Sequence, residues 1–135
     1  MYQKINLNDF LAVIIKRIEE QTSLKCYDAV PENAPSPFYF VEVTGVRPSD
    51  TKTSFRDVIS VNIHAIAAPG FSSVEVNNLI NSVWEAMSTD IELPEPFYLN
   101  LQTSNGVTNI QVDETKEKHA IMPYDFTVSY GFKCK

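Results

Sequence analysis

Cysteine and glycine are both scarce in this sequence, and their scarcity excludes several kinds of site. The two cysteines, Cys26 and Cys134, have no metal-ligand spacing, so we predict free thiols rather than a zinc site or a disulfide framework. The four glycines never occur together, whereas a phosphate-binding loop needs several of them in one turn. Nucleotide binding is therefore not expected.

Long apolar runs and positive charge are also lacking. No run approaches the roughly 20 apolar residues that cross a bilayer, and the amino terminus has no apolar block of the signal-peptide kind. Eleven Lys and Arg against 17 Asp and Glu give a net charge of −6, which disfavours tight binding to nucleic acid. We expect no membrane association, and a protein that is made and kept in cytosol-like surroundings.

What the sequence does contain is typical of a globular protein. Its 135 residues are 44% hydrophobic and 21% charged, which predicts one domain, 1–135, with a genuine core. The central stretch, Arg56 to Met87, begins with the two-residue period of a strand, and Ile59, Val61, Ile63 and Ala65 share one face. After Pro69-Gly70 the period becomes helical, with Ser72 or Ser73 as the cap and an apolar stripe of Val76, Leu79, Ile80, Val83, Trp84 and Met87.

The other segments complete an α+β pattern. A first helix capped by Asn6 or Asn8, a short strand at 26–30 and a strand at 38–46 precede the central stretch. After it, Asn105-Gly106 predicts the tight turn of a hairpin between 97–103 and 107–112, and alternation predicts a last strand from Tyr124 to Phe132. The expected fold is a mainly antiparallel β-sheet with two α-helices packed on one face.

No arrangement of residues predicts catalysis. His64 and His119 could meet in space, but neither belongs to a metal-binding motif, and we predict that both lie on the surface. The serines near Pro69-Gly70 suit a helix cap better than a nucleophile elbow. Asp113, Glu114 and Glu117 read as a solvated acidic run. We expect no catalytic residue, no metal ligand and no cofactor.

A polar segment, 47–54, is predicted to form a long, mobile hairpin loop between two strands. Long loops on a rigid sheet are common places for binding surfaces, although a merely solvated loop is an equally good interpretation. Its mixed charges and the following Arg56 are candidates for contacts to another protein. The candidate interface residues are Arg47, Asp50, Lys52 and Arg56.

The layout resembles that of the tail terminator, or tail-to-head joining (tail completion), proteins of long-tailed bacteriophages. The resemblance covers nearly the whole chain and is one of order and spacing. It is carried by Phe10-Leu-Ala-Val-Ile-Ile15, the Pro-containing lead 34–41, Thr51-Lys-Thr53, Asp57 to His64, Gly-Phe-Ser-Ser at 70–73, Val83-Trp-Glu-Ala-Met87 and the aromatic strand 124–130.

This resemblance implies a virion protein without enzymatic activity. Members of that family form a ring, commonly a hexamer, on the head-proximal end of the tail tube. The ring stops polymerisation of the tube and docks to the head. The implied partners are further copies of the chain, the major tail tube protein and the head connector or stopper protein, and the implied locations are the virion and, during assembly, the host cytoplasm. DNA would pass through the ring without specific binding.

Two further expectations depend on that resemblance. Asp113, Glu114 and Glu117 are candidates for an acidic lumen, because an acidic wall would not hold DNA. The chain could also be monomeric until it meets a finished tube. A head-completion or neck protein on the other side of the same joint is one alternative, and a small ligand-binding or enzymatic α+β domain is another.

Overall fold

The computed structural model describes residues 3–29, 35–70, 73–112 and 117–132. Two helices and six strands occur in these ranges, and the strands form one sheet in the order β1-β2-β3-β6-β4, with β5 also paired to β6. The pairings are antiparallel except that of β1 with β2. The predicted α+β fold is confirmed. The elements are α1 Leu7–Thr22, β1 Cys26–Tyr27, β2 Phe38–Pro48, β3 Ser54–Ala67, α2 Val74–Ala86, β4 Tyr98–Ser104, β5 Asn109–Val112 and β6 Lys118–Phe132.

The core lies between the two helices and one face of the sheet. The predicted apolar face of β3 is buried, as are Tyr124, Phe126 and Val128 of β6. Phe10 of α1 meets Phe126 edge to face, with ring centroids 5.2 Å apart. Tyr130, which was predicted on the same face, lies at an irregularity in the β3–β6 register and is only half-buried, and the side chain of Phe132 lies outside the described residues.

The helix starts differ from each other. Of the two predicted caps of α1, Asn6 is the one that acts, because its Oδ1 accepts from the backbone N–H of Asn8 at 2.8 Å and of Asp9 at 3.4 Å. Ser73 occupies the cap position of α2, but its side chain makes no capping bond, so the prediction is wrong for Ser73. Ser72 lies outside the described residues.

The predicted hairpin at Asn105-Gly106 is wrong, although the turn chemistry was recognised. Gly106 has a φ of 83°, yet the chain does not reverse there. Asn105 N–H donates to Pro123 O and Thr108 N–H donates to Ile121 O, so β4 and β5 follow one another along the same edge of β6. The 15-residue β6 begins at Lys118, and it is long enough to pair with both. The residues between β4 and β5 form a kink, which is a local interruption of one edge strand.

The guanidinium of Arg17, on α1, fixes the end of α2. Arg17 donates through Nη1 to Ala86 O, Thr89 O and Thr89 Oγ1, and through Nη2 to Asp90 O, all at 3.0 to 3.1 Å. The last carbonyls of a helix have no partner within it, and a guanidinium supplies several donors in one plane. Arg17 therefore sets where the chain leaves α2 towards β4.

The face of the sheet away from the helices contains a histidine pair. His64 is only 8% exposed, and its Nδ1 lies 2.7 Å from His119 Nε2. The Phe40 ring lies 5.0 Å away, and Glu42 Oε2 lies 3.3 Å from His64 Nε2. The prediction of a surface position is wrong for His64, because side chains from β2 and β6 flank it on the central strand. His119 belongs to β6 and is half-buried.

Arg17→Ala is expected to lower the free energy of unfolding by about 1 to 2 kcal/mol, because four acceptors at the end of α2 lose a charged donor. Lys16→Ala is the matched control, since its ion pair with Glu20 is exposed and 3.9 Å long, and it should cost less than about 0.5 kcal/mol. Urea unfolding of both variants measures the difference. Equal losses would show that Arg17 is not the link between the helices.

Stability is expected to fall as the pH drops below 6.5, the ordinary pKa of histidine. Burial lowers the pKa of His64 most, the Glu42 carboxylate opposes that shift, and His119 adds to it. The unfolded chain therefore takes up a proton at a higher pH than the folded chain, and stability is lost until the pH reaches the lowered pKa. The slope of unfolding free energy against pH between 7 and 5.5 should be shallower in His64→Gln, by at most about 1.4 kcal/mol per pH unit. Equal slopes in the two proteins would contradict this.

Candidate assembly surfaces

The segment predicted as a long loop is a compact hairpin. Strand β2 continues to Pro48 and β3 begins at Ser54, so the turn is confined to residues 49–53. Arg47 pairs with Val58 and Pro48 with Asp57, which places both in the ladder. Strand β1 pairs only with Tyr39 and Phe40, so the far half of β2 extends beyond it. We call residues 44–56 the β2–β3 hairpin.

Hydrogen bonds inside the turn fix its shape. Ser49 N–H donates to Arg56 O at 2.8 Å, and Thr51 N–H donates to Ser54 O at 3.0 Å. Thr51 Oγ1 accepts from Ser54 N–H at 3.0 Å. Side-chain acceptors of this kind stabilise tight turns. The turn is therefore shorter and more strongly held than the sequence predicts.

The four candidate interface residues have two different roles in this hairpin. Asp50 Oδ1 accepts from the Arg56 N–H at 3.0 Å, and Arg56 Nε donates to Ser49 O at 3.0 Å. Arg47 and Lys52 are exposed, while Arg56 is half-buried. Asp50 and Arg56 thus shape the turn, and Arg47 and Lys52 present positive charge to solvent.

A hollow of about 410 Å³ lies on the opposite edge of the sheet. We call it the β4 hollow. Sequence reasoning missed this surface, because its residues come from an irregular segment and the start of a strand, which have no periodic signal. The hollow is lined by Asp90, Ile91, Glu92, Leu93, Phe97, Tyr98 and Leu99.

A second hollow, of about 350 Å³, lies between α2 and the kinked edge. Trp84 and Ile110, which are 45% and 53% exposed, both line it. The sequence places Trp84 in the buried stripe of α2, and that prediction is wrong because the narrow β4–β5 edge leaves the outer side of the helix uncovered. Val107 and Ile80 also line this hollow.

One of the three predicted acidic lumen residues, Glu117, lies in the described part of the chain. Asp113 and Glu114 lie outside the described residues. Glu117 is half-buried and directly precedes β6. The assignment of these residues to the lumen stays a prediction.

The described residues offer little reactive chemistry. Burial raises the pKa of the Cys26 thiol to about 12, so the thiol stays protonated at neutral pH. Among residues 3–29, 35–70, 73–112 and 117–132, no group of three or more His, Cys, Asp and Glu side chains is arranged to hold a metal ion. Neither α1 nor α2 has the length and apolar character that a bilayer crossing requires.

Solved structures share this architecture. One is a chain in a structure titled "Virion of native gene transfer agent (GTA) particle", with a TM-score of 0.69 and 17% sequence identity. The match covers 94% of this chain and 99% of the other, and at that identity it establishes the fold alone. No curated protein matches the sequence.

The sequence also matches a family model over its full length. The model is described as "Putative tail termination protein", and the match spans residues 1–135. It agrees with the family to which the order of helices, strands and aromatic positions pointed, and its members are structural proteins of phage tails. The chain belongs to the phage tail terminator family.

Proposed function

We propose that this chain acts as a single domain that forms a ring, with six subunits as the expected number, on the head-proximal end of a phage tail tube. The ring ends polymerisation of the tube and provides the surface that joins the tail to the head. The observation that carries the proposal is the family match over residues 1–135. The chain works by binding other proteins and needs no cofactor or catalytic residue.

The different surfaces at the two edges of the sheet support the proposal of a ring. Subunits of a ring meet head to tail, so each copy needs two different patches that fit one another. The β2–β3 hairpin presents Arg47 and Lys52 at one edge, and the β4 hollow presents Asp90 and Glu92 at the other. These two patches differ in shape and in charge. Arg47, Asp50, Lys52 and Arg56 are proposed as the part of the ring contact that the hairpin supplies.

The charge of the chain supports passage of DNA without retention. Duplex DNA carries one charge per roughly 1.7 Å, so a ring on the order of 35 Å tall would surround about 20 phosphates. Lys and Arg side chains around them would release counterions and hold the duplex. The net charge of −6 per copy disfavours that, and Asp113, Glu114 and Glu117 are proposed to face the lumen.

The remaining surfaces would contact two kinds of virion protein. One rim of the ring meets the last layer of the major tail tube protein, and the other meets the head connector or stopper protein. The protein would be a component of the virion at the head–tail junction and would be assembled in the host cytoplasm.

Deletion of the gene from the producing phage or particle is expected to give overlong tails separated from filled heads. A tube without its terminator keeps adding subunits, and the joining surface is missing. Negative-stain electron microscopy of the lysate measures tail length, and expression of the wild-type chain in trans is the control. Tails of normal length beside leaking heads would contradict the proposal and indicate a neck protein.

Lysine at the three proposed lumen positions, in Asp113→Lys, Glu114→Lys and Glu117→Lys combined, is expected to slow DNA release. The added cations would bind phosphate, so the delay should shrink as salt rises. Dye binding to released DNA measures the rate in purified particles. Release at the wild-type rate at low salt would show that these residues do not face the DNA.

A further inference from the structure

The β4 hollow combines apolar surface with carboxylates. Tyr98 is 63% exposed, and Leu93, Phe97 and Leu99 are half-buried around it. Exposed aromatic side chains in a concave site are typical of protein-binding surfaces, where they become desolvated anchors. Asp90 and Glu92 are exposed at the same hollow. The surface therefore suits a partner with a cation at the end of an aliphatic stem.

Hydrogen bonds from Gln102 and Arg17 fix the backbone segment between α2 and β4 that lines the hollow. Gln102 accepts from Ile91 N–H at 3.0 Å and donates to Met87 O at 3.1 Å, which ties the segment after α2 to strand β4. Arg17 binds the same segment from α1 through Ala86, Thr89 and Asp90. Because these bonds exist without a partner, binding there needs little reorganisation of the backbone.

Positive charge is absent from the whole stretch of sequence that forms this edge. From residue 57 to residue 115 the sequence has no Lys or Arg. Arg17 reaches the hollow, but its guanidinium donates to backbone and hydroxyl oxygens behind it. Glu92 also lines a neighbouring hollow with Lys16 and Arg17, whereas Asp90 lines the β4 hollow and meets Arg17 through its backbone carbonyl.

The turn of the β2–β3 hairpin has the complementary chemistry. Lys52 lies within the five-residue turn and is exposed, and Arg47 is exposed on the adjoining strand. Asp50 is also exposed in this turn, and its Oδ1 accepts from the Arg56 N–H, which engages one carboxylate oxygen within the hairpin. A narrow, hydrogen-bonded turn with a lysine on it is the kind of projection that an acidic hollow can accept.

The base of the hairpin lies at the height of the hollow, and the turn follows directly beyond it. Arg56 pairs with Ser129, and Ser129 pairs with Tyr98, so the hairpin base and the hollow occupy one row across the sheet. From β2 to β4 there are three strand spacings, or roughly 14 Å. Patches at one height on opposite edges allow neighbouring copies to meet side by side, which is what a closed ring requires.

We propose that the turn of the β2–β3 hairpin of one copy docks into the β4 hollow of the next, with Lys52 directed at Asp90 and Tyr98. The occupant of the hollow is thus a second copy of this chain. This inference rests on the proposed ring and identifies its two contacting surfaces.

A charge exchange tests the contact in cells whose own gene is deleted and replaced by variants. Lys52→Glu and Asp90→Lys are each expected to lower incorporation into purified tails by about tenfold, because each sets like charges against each other. The double variant Lys52→Glu/Asp90→Lys should recover most of the loss. Quantitative mass spectrometry of the tails gives the number of copies per tail.

Two exposed positions that flank β1, at the end of β2 away from the hairpin, supply matched controls. Lys25→Glu and Asp28→Lys make the same charge changes beside β1 and should leave incorporation unchanged. Thermal unfolding of each purified variant checks that the fold is retained. Unimpaired single variants, or a double variant no better than the singles, would overturn the proposed contact.

A cross-link locates the contact independently. With Cys134→Ser as background, Lys52→Cys together with Tyr98→Cys should give a ladder of disulfide-linked copies in oxidised tails, and either cysteine alone should give none. Absence of the ladder in tails that contain the protein would overturn the contact and leave the tail role intact. If the wild-type chain is itself missing from tails, both this contact and the proposed function fail.

Discussion

The burial of one face of the β3–β6 pair beneath two helices is the constraint on which the rest of the structure depends. Phe126 and Ile59 pair across these strands, and Phe10 of α1 packs on Phe126. Burial of each such ring removes on the order of 150 Å² or more from water, at about 25 cal/mol per Å². The helices reach β1 at one edge, whereas the hairpin end of β2 and much of β4 stay exposed and are available for other contacts.

Arg17 links that core to the assembly surfaces. A guanidinium that binds the end of α2 also determines the path of residues 86–90, and Asp90 at the end of this path lines the β4 hollow. On the opposite edge, the β2–β3 hairpin is held by bonds within its own turn. One surface thus depends on the helix packing, whereas the other depends mainly on local hydrogen bonds.

The histidine pair shows that the uncovered face of the sheet is not uniformly solvated. His64 lies on the central strand, where side chains from both neighbouring strands reach it, and its ring is sandwiched among Phe40, Glu42 and His119. A residue on the solvent side of a sheet can therefore be buried by its lateral neighbours alone. Its pKa follows from that local enclosure rather than from a second layer.

Periodicity predicted the fold and much of the core. The alternation of Ile59, Val61 and Ile63, and the Asn6 cap, required only local rules that tertiary structure did not override. The hairpin at Gly106 failed because a positive φ is compatible with both a reversal and a kink, and only the length of β6 decides between them.

The assembly surfaces were less predictable. The charges of the hairpin were visible in the sequence, but which of them shape the turn depends on bonds such as that from Arg56 to Asp50. The β4 hollow arises where irregular chain meets an edge strand, and no pattern marks such a place. The only sequence signal for it was the lack of Lys and Arg between residues 57 and 115.

The self-contained hydrogen bonding of the β2–β3 hairpin has an evolutionary consequence. Since its turn does not contribute side chains to the buried core, its exposed residues can change without a folding penalty of the size that core changes impose. Related chains could therefore diverge in which neighbours they accept while keeping one scaffold. Recognition in this family would then evolve by exchange of a short peptide rather than by redesign of the domain.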